Sequence, residues 1–109
     1  MTCQLRGQLL LVAIAGCSGT DVDFITSKRA EPLTFSVTAQ GEKIRDEQGN
    51  NRMRDLTVRF SVTFPEGEAG DRAREMLPRA IQMSEERLCT VSRTVALGTP
   101  IDAGVEDDG

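Results

Sequence analysis

Apolar and polar positions recur along this 109-residue chain with two different periods, which predict helices and a β-hairpin. The first helix is predicted over residues 7–29, because apolar side chains recur there at intervals of four, three and seven, and Pro32 prevents its continuation. Gly16 and Gly19 leave room for another element to approach it closely. The residues predicted to share its buried face are Leu10, Ile14, Cys17 and Phe24.

Two later segments alternate between apolar and polar residues at period two, which is typical of half-buried strands. They run from Leu33 to Ala39 and from Leu56 to Phe64. The polar connection between them contains Gln48-Gly-Asn-Asn51, which predicts the turn of an antiparallel pair. The side chains predicted to form its buried face, against which the first helix packs, are Leu33, Phe35, Val37, Val58, Phe60 and Val62.

A second amphipathic helix is predicted from Asp71, its N-cap, onward, and Pro78 is expected to kink or restart it. After it, residues 92–96 form either a helical turn or an extended run, and residues 98–102 a short edge strand. Together these elements predict an α+β domain that spans residues 1–109 and ends in the acidic tail 106–109. The predicted apolar face of the second helix consists of Ala73, Leu77, Ala80, Ile81, Ser84 and Leu88.

Composition restricts the chemistry. The net charge of -4 and the pI near 4.8 argue against binding to nucleic acid, which requires a concentrated positive field. The chain has no histidine, which excludes Ser-His-Asp and Cys-His mechanisms and most zinc and iron sites. Any chemistry must therefore use Cys, Arg, carboxylates or hydroxyls, and we expect neither a cofactor nor a metal.

The three cysteines, at positions 3, 17 and 89, contain no C-x-x-C pair, so no zinc knuckle or thioredoxin-type motif is predicted. Cys3 lies in a segment without a pattern and is expected to be unstructured. The apolar stretch from Leu9 to Ala15 is far shorter than the roughly 20 residues of a transmembrane helix, so we expect no membrane span.

Cys17 has two interpretations. Residues 1–17 contain the basic residue, the apolar run and the small-residue box Ile14-Ala-Gly-Cys17 of a bacterial lipoprotein leader, so Cys17 could be a lipid anchor. Three features argue against a leader. The apolar run is short, Arg6 is the only basic residue before it, and the helical pattern continues from Asp21 to Arg29. In the other interpretation Cys17 is a thiol on a buried helix of the fold.

Two segments resemble the OsmC/Ohr family of hydroperoxide-detoxifying proteins. Leu10-Leu-Val-Ala-Ile-Ala-Gly-Cys17 is similar to the family's central helix with its reactive cysteine. Pro78-Arg-Ala-Ile-Gln-Met-Ser-Glu-Glu-Arg-Leu-Cys-Thr-Val-Ser-Arg93 is similar to its second helix and second cysteine, and is the more specific match. The resemblance covers residues 8–105. It implies an OsmC-like fold, with a central helix on an antiparallel sheet and a second helix, here lacking the family's N-terminal strands.

The resemblance also implies a function. Cys17 would be the peroxidatic thiol and Cys89 the resolving thiol of a cytoplasmic peroxidase that reduces organic hydroperoxides, is recycled by a thiol or dithiol, and forms a homodimer. Family members use an Arg and a carboxylate from their N-terminal strands to activate the thiol, and no residue here matches them. Arg87 and Arg93 flank Cys89, but exposed arginines usually form a solvated face. A lipoprotein anchored at Cys17 and an inactive OsmC-like remnant are the alternatives.

Overall fold

The computed structural model describes residues 3–106, with side chains from residue 7 onward. Three α-helices and a two-stranded antiparallel sheet confirm the predicted α+β class and the packing of the first helix on the sheet. The acidic tail from residue 107 lies outside the described residues. In chain order the elements are α1 (Cys3–Ser27), β1 (Thr34–Arg45), β2 (Asn51–Thr63), α2 (Glu68–Met83), a π-helical segment (Ser84–Leu88) and α3 (Thr90–Ala96).

Helix α1 is the central element, and its backbone already begins at Cys3, where an unstructured segment was expected. The predicted buried face is partly wrong, because Phe24 is 67% exposed and its ring lies 4.6 Å from the Lys28 ammonium group. The face that is buried in the structure includes polar side chains. It therefore differs from the face that the apolar residues alone predicted. Its buried members are Ile14, Ser18, Gly19, Val22, Ile25 and Thr26.

By length and composition, α1 is also a candidate membrane span over its 21 residues Gly7–Ser27, among the residues that the structure describes. The apolar part of α1 is therefore longer than the stretch from Leu9 to Ala15 on which the prediction of no membrane span was based. Core helices of soluble proteins have the same composition, and α1 packs against the hairpin, α2 and α3. Its buried polar side chains face these elements.

Strands β1 and β2 form the predicted antiparallel hairpin, with Phe35 opposite Val62 and Val37 opposite Phe60. Both strands are longer than predicted, since pairing continues to Arg45 and Asn51 on either side of the turn. Gly49 takes a φ of 82° in that turn, a conformation that costs glycine little. Leu33 precedes β1 and is 69% exposed, so its assignment to the buried face was wrong.

The core lies between α1, α2 and the hairpin. Val22, Ile25 and Ala80 form its centre, and Phe35 and Phe60 cover it with ring centroids 6.3 Å apart and planes at 79°. Edge-to-face packing of this kind is favoured by the ring quadrupoles. Helix α1 lies very close to β1 at Gly19, two residues after Cys17. A Cβ added to Gly19 would lie only 3.1 Å from Val37 Cγ2.

Helix α2 begins at Glu68 and not at Asp71, because Gly67 is its N-cap. Asp71 instead lies in the first turn, where its carboxylate accepts a hydrogen bond of 2.8 Å from Arg74. Pro78 lies inside the continuous helix, so the expected break does not occur at this residue. Packing of Ala73 and Ala80 against neighbouring elements keeps the helix intact, since tertiary contacts supply most helical stability.

The end of the described chain differs most from prediction. Residues 92–96 belong to α3, and the strand expected at residues 98–102 is absent from the described chain. Gly98, with a φ of 62°, ends α3 by donating to Val95, while the Thr99 amide donates to Thr94. These two bonds form a Schellman motif, which uses the glycine for a helix end. Leu88, assigned to the buried face, is 47% exposed.

Candidate functional site

The fold brings two thiols together that are 72 positions apart in the sequence (89 minus 17). Cys17 lies on α1 and Cys89 between the π-helical segment and α3, and their sulfur atoms are within 4.8 Å of each other. Both are free thiols, Cys17 half-buried and Cys89 fully buried. Two thiols this close need only a small movement to form a disulfide, for which the Cβ atoms must be about 3.5–4.5 Å apart.

Local structure places Cys89 at the N-cap of α3. The π-helical segment ends there, the backbone turns extended with φ -76° and ψ 105°, and the Cys89 amide donates to Ser84 at 2.7 Å. Its sulfur accepts a hydrogen bond of 3.4 Å from the Ser92 amide. A helix N-terminus favours the thiolate form of a cysteine. The turn thus fixes the position of the sulfur and stabilises its negative charge.

Ser18, adjacent to Cys17 in the sequence, connects α1 to this turn. Its fully buried hydroxyl donates to Glu85 Oε1 at 2.7 Å and lies 3.5 Å from Cys89 Sγ and 3.4 Å from Ser92 Oγ. The hydroxyl has one proton to donate, so its short bond to Glu85 alternates with a longer one to Cys89 Sγ. Ser18 therefore holds the π-helical segment against α1, beside the sulfur of Cys89.

The surroundings shift the two thiols in opposite directions. The Cys17 thiol donates to Cys89, which raises the pKa of Cys17; burial raises it further and the Val91 amide opposes the change. Burial also raises the pKa of Cys89, but hydrogen bonds from Cys17, Ser18 and Ser92 together outweigh it, so the pKa of Cys89 is lowered. The first proton lost from the pair therefore comes from Cys89, because the proton that remains on Cys17 stabilises the Cys89 thiolate.

A carboxylate completes the cluster. Asp21 lies one helical turn after Cys17, and one of its oxygens is within 4.8 Å of both sulfurs. The buried Ser84 hydroxyl donates to Asp21 Oδ2 at 3.0 Å. The negative charge of Asp21 contributes to the raised pKa of Cys17. Asp21 is thus held beside the thiols by a contact from the π-helical segment.

A cavity of about 240 Å³ lies close to the thiols, and although neither cysteine lines it, Glu85 and Ser92 are part of its wall. It lies between α1, β2 and α3, and Ser92, whose amide contacts Cys89, is part of its wall. The other lining side chains are mainly apolar, which suits a hydrocarbon group. They are Ile14, Leu56, Thr57, Val58, Glu85, Val95 and Ala96.

The two arginines that flank Cys89 have structural surroundings. Arg93 donates from Nη1 to the Glu86 carbonyl at 2.6 Å, which supports the end of the π-helical segment. Arg87 is exposed on that segment. The shifted pKa values of the two thiols arise from hydrogen bonds and burial, as described above, and the arginines are not needed to explain them.

The sequence pointed to both thiols but missed the side chains that surround them. Ser18, Asp21 and Glu85 are small or charged residues, and none stands out in a hydropathy pattern, while Ser84 was predicted only as a member of the buried face of the second helix. One signal was available for Ser92. It lies three residues after Cys89, and the side chain of an N-cap residue accepts a hydrogen bond from the backbone amide at that position. The contacts across α1 depend on tertiary packing and have no local signal.

Comparison with protein families gives a match to the family described as OsmC-like protein, over residues 7–104. The match contains both cysteines and every residue of the cluster. Comparison with curated proteins gives no significant match.

Proposed function

Because the chain belongs to the OsmC-like protein family, we propose that it is a thiol-dependent peroxidase that reduces organic hydroperoxides with Cys17 and Cys89. The observation that carries the proposal is the pairing of the two sulfurs within 4.8 Å across a sequence separation that only the fold can bridge. Cys17 is the peroxidatic thiol because it is half-exposed, whereas Cys89 is fully buried and a peroxide does not reach it in this conformation.

In the first step the Cys17 sulfur attacks one peroxide oxygen. The thiol proton passes to the Cys89 thiolate, whose sulfur lies within 4.8 Å of Cys17 Sγ, while the new S–O bond forms and the O–O bond breaks. The alkoxide that leaves takes up this proton and becomes an alcohol. Cys17 is then a sulfenic acid and Cys89 is again a thiolate, so charge and protons balance.

In the second step the Cys89 thiolate attacks the sulfur of the Cys17 sulfenic acid. The S–S bond forms and hydroxide leaves, which takes a proton from solvent to become water. The hydrogen bonds that lower the pKa of Cys89 favour the thiolate needed for this attack. Resolution protects Cys17 from further oxidation to sulfinic acid. An external thiol or dithiol then reduces the disulfide and restores both cysteines.

The apolar cavity beside the thiols supports an organic substrate over hydrogen peroxide. Ile14 and Val58 are part of its wall, and in this proposal they contact the hydrocarbon part of the hydroperoxide. We expect Val58→Thr, which keeps the shape but adds a hydroxyl, to lower kcat/KM for cumene hydroperoxide at least ~3-fold relative to hydrogen peroxide. Val105→Thr, at a fully exposed position after α3, is the control and should leave the ratio unchanged.

A homodimer is part of the same proposal. The radius of gyration is 17.5 Å, whereas a compact chain of this length has one of about 13 Å. Both strands of the hairpin have an unpaired edge, and Leu9 and Val12 on α1 are 57% and 69% exposed. An open sheet and exposed apolar side chains favour association. Light scattering after size exclusion should give twice the mass of one chain.

We place the protein in the cytoplasm, where thiol reductants are available.

Hydroperoxide consumption by purified chains tests the function, with dithiothreitol and dihydrolipoamide as alternative reductants. We expect turnover with cumene hydroperoxide in the Cys3→Ser variant, and its loss when Cys17→Ser or Cys89→Ser is added. Turnover that persists in the double variant Cys17→Ser/Cys89→Ser would contradict the proposal.

The same preparations distinguish the two alternatives. A remnant without activity would fold with both thiols reduced and leave the hydroperoxide unchanged. A lipoprotein would be recovered from its native host as a mature chain that begins at an acylated Cys17, and this result would rule out Cys17 as a redox thiol.

A further inference from the structure

The cluster of two thiols and a carboxylate has a second chemical capability besides redox chemistry. Cys17 and Asp21 lie four residues apart on one face of α1, and Cys89 approaches them from the start of α3. The two sulfurs and one carboxylate oxygen all lie within 4.8 Å of one another. We propose that Cys17, Asp21 and Cys89 form a binding site for a thiophilic divalent cation, with Zn²⁺ as the best fit.

The spacing of the donor atoms agrees with a tetrahedral site. Zn–S bonds of about 2.3 Å and Zn–O bonds of about 2.0–2.2 Å place neighbouring ligand atoms roughly 3.5–3.8 Å apart. The separations here are at most 4.8 Å, so the three side chains need to close by about 1.3 Å at most. Rotation of the Cys17 and Asp21 side chains, both half-buried, allows this.

Hydrogen bonds already orient two of the three ligands. Ser84 donates to Asp21 Oδ2 at 3.0 Å, which holds the carboxylate in place beside the sulfurs. The Ser92 amide, 3.4 Å from Cys89 Sγ, fixes the position of that sulfur. Outer contacts of this kind are typical of metal sites and raise affinity by orienting the ligands. The preformed surroundings distinguish this cluster from acidic side chains that are close only by chance.

Three protein ligands leave one tetrahedral position open. Because Cys17 and Asp21 are partly exposed, this position faces solvent and takes a water molecule. A thiophilic metal suits the two sulfurs better than Mg²⁺ or Ca²⁺, which prefer oxygen ligands. Hence we expect Zn²⁺ and Co²⁺ to bind and Mg²⁺ not to compete.

Metal binding and disulfide formation exclude each other, because both use the lone pairs of the same two sulfurs. Oxidation with diamide removes two electrons from the two thiolates, forms the S–S bond and reduces the N=N bond to a hydrazine with uptake of two protons. The oxidised chain therefore has no thiolate ligands left. The site binds metal only in the reduced protein, so bound metal protects the thiols from oxidation.

Titration of the full reduced chain with Co²⁺ tests the site, in the Cys3→Ser variant and without oxygen. We expect one Co²⁺ per chain, thiolate-to-cobalt charge-transfer absorption with the visible bands of a tetrahedral ion, and displacement by Zn²⁺. Cys17→Ser and Cys89→Ser should remove the charge-transfer band or reduce it strongly. Pretreatment with diamide should abolish binding.

Asp21→Asn tests the third ligand, with Asp23→Asn as its matched control. Both carboxylates lie on α1, but Asp23 is exposed and accepts a hydrogen bond from Ser27. We expect Asp21→Asn to weaken Co²⁺ binding at least ~10-fold and Asp23→Asn to change it less than ~2-fold. Far-ultraviolet circular dichroism should show that both variants are folded.

The proposal is overturned if the reduced chain gives no charge-transfer band, if one metal ion requires two chains, or if Asp21→Asn binds as tightly as Asp23→Asn. The experiment does not depend on peroxidase activity. A chain that binds Co²⁺ but does not consume hydroperoxide would support the metal site and contradict the proposed function. A chain that consumes hydroperoxide but does not bind Co²⁺ would support the proposed function and overturn the metal site.

Discussion

The two thiols of this protein lie side by side but in different surroundings. Cys17 belongs to a regular helix, is half-exposed, and its raised pKa keeps its proton. Cys89 lies where a π-helical segment meets α3, is fully buried, and hydrogen bonds lower its pKa. Access and acidity are thus divided between two residues. In the mechanism that we propose, the accessible thiol makes first contact with the substrate, and the acidic thiol receives its proton and then acts as the second nucleophile.

The largest expected effect comes from removing each thiol in turn. Cys17→Ser and Cys89→Ser should each lower peroxide turnover at least ~100-fold, because the two act as one unit. Their products should differ. With Cys89→Ser, Cys17 should gain one or two oxygens in the mass spectrum after hydroperoxide, since no second thiol resolves the sulfenic acid.

With Cys17→Ser, the buried Cys89 should remain unmodified under the same conditions. Cys3→Ser alone is the control for both variants and should keep full turnover. Oxidation of Cys89 in the Cys17→Ser variant would reverse the roles assigned to the two thiols.

Ser18→Ala tests the link between α1 and the turn that holds Cys89. It removes the buried hydroxyl that donates to Glu85, and we expect a loss of about 1–2 kcal/mol in the free energy of unfolding. The pKa of Cys89 should rise, because Ser18 is one of the donors that lower it. Urea denaturation and thiolate absorbance measure the two changes.

The control for Ser18→Ala is Ser61→Ala, an exposed serine on β2, which should change stability by less than about 0.5 kcal/mol. Equal losses in the two variants would show that the Ser18 contact does not support the turn.

Cys89→Ala tests the cause of the raised pKa of Cys17. Without Cys89, the Cys17 thiol loses the acceptor that stabilises its protonated form, so the pKa of Cys17 should fall. The thiolate fraction at pH 7.5 then increases, and alkylation by monobromobimane should become several-fold faster in the Cys3→Ser background. An unchanged or slower rate would mean that Cys89 does not hold the proton on Cys17.

The smallest effect is expected from the two arginines. Arg87→Gln and Arg93→Gln should each change the alkylation rate of Cys17 by less than ~2-fold, because hydrogen bonds explain the shifts of both thiols. Arg93→Gln should lower stability slightly, since its bond to the Glu86 carbonyl is lost. A large fall in reactivity with either variant would give that arginine a direct electrostatic role.

Local patterns predicted those parts of the fold that depend on local chemistry. Period-two alternation predicted the hairpin and the face of the sheet on which Phe35 and Phe60 pack together. Hydropathy failed where polar residues are buried. Ser18 and Thr26 lie on the buried face of α1, and the pattern chose the exposed Phe24 in their place. The Ser18 hydroxyl is satisfied by the distant Glu85 and the Thr26 hydroxyl by the Val22 carbonyl of the same helix, so both are buried without an apolar signal.

The second helix and the chain end show the same limit. Pro78 suggested a break, yet tertiary packing keeps α2 continuous through it. Gly98 suggested the start of a strand but serves the end of α3. For the candidate site, the resemblance to a family pointed to both cysteines. The roles of Ser18, Asp21 and Ser84 arise from contacts between residues more than 60 positions apart.

The most direct test of the account is disulfide mapping after a single exposure to hydroperoxide. The Cys3→Ser variant should be treated with one equivalent of cumene hydroperoxide, alkylated, digested and analysed by mass spectrometry. We predict that a peptide pair linked by Cys17 and Cys89 within one chain becomes the main oxidised product. Oxidised Cys17 with Cys89 still free, or a disulfide only between different chains, would contradict the central claim that these two thiols form one redox pair.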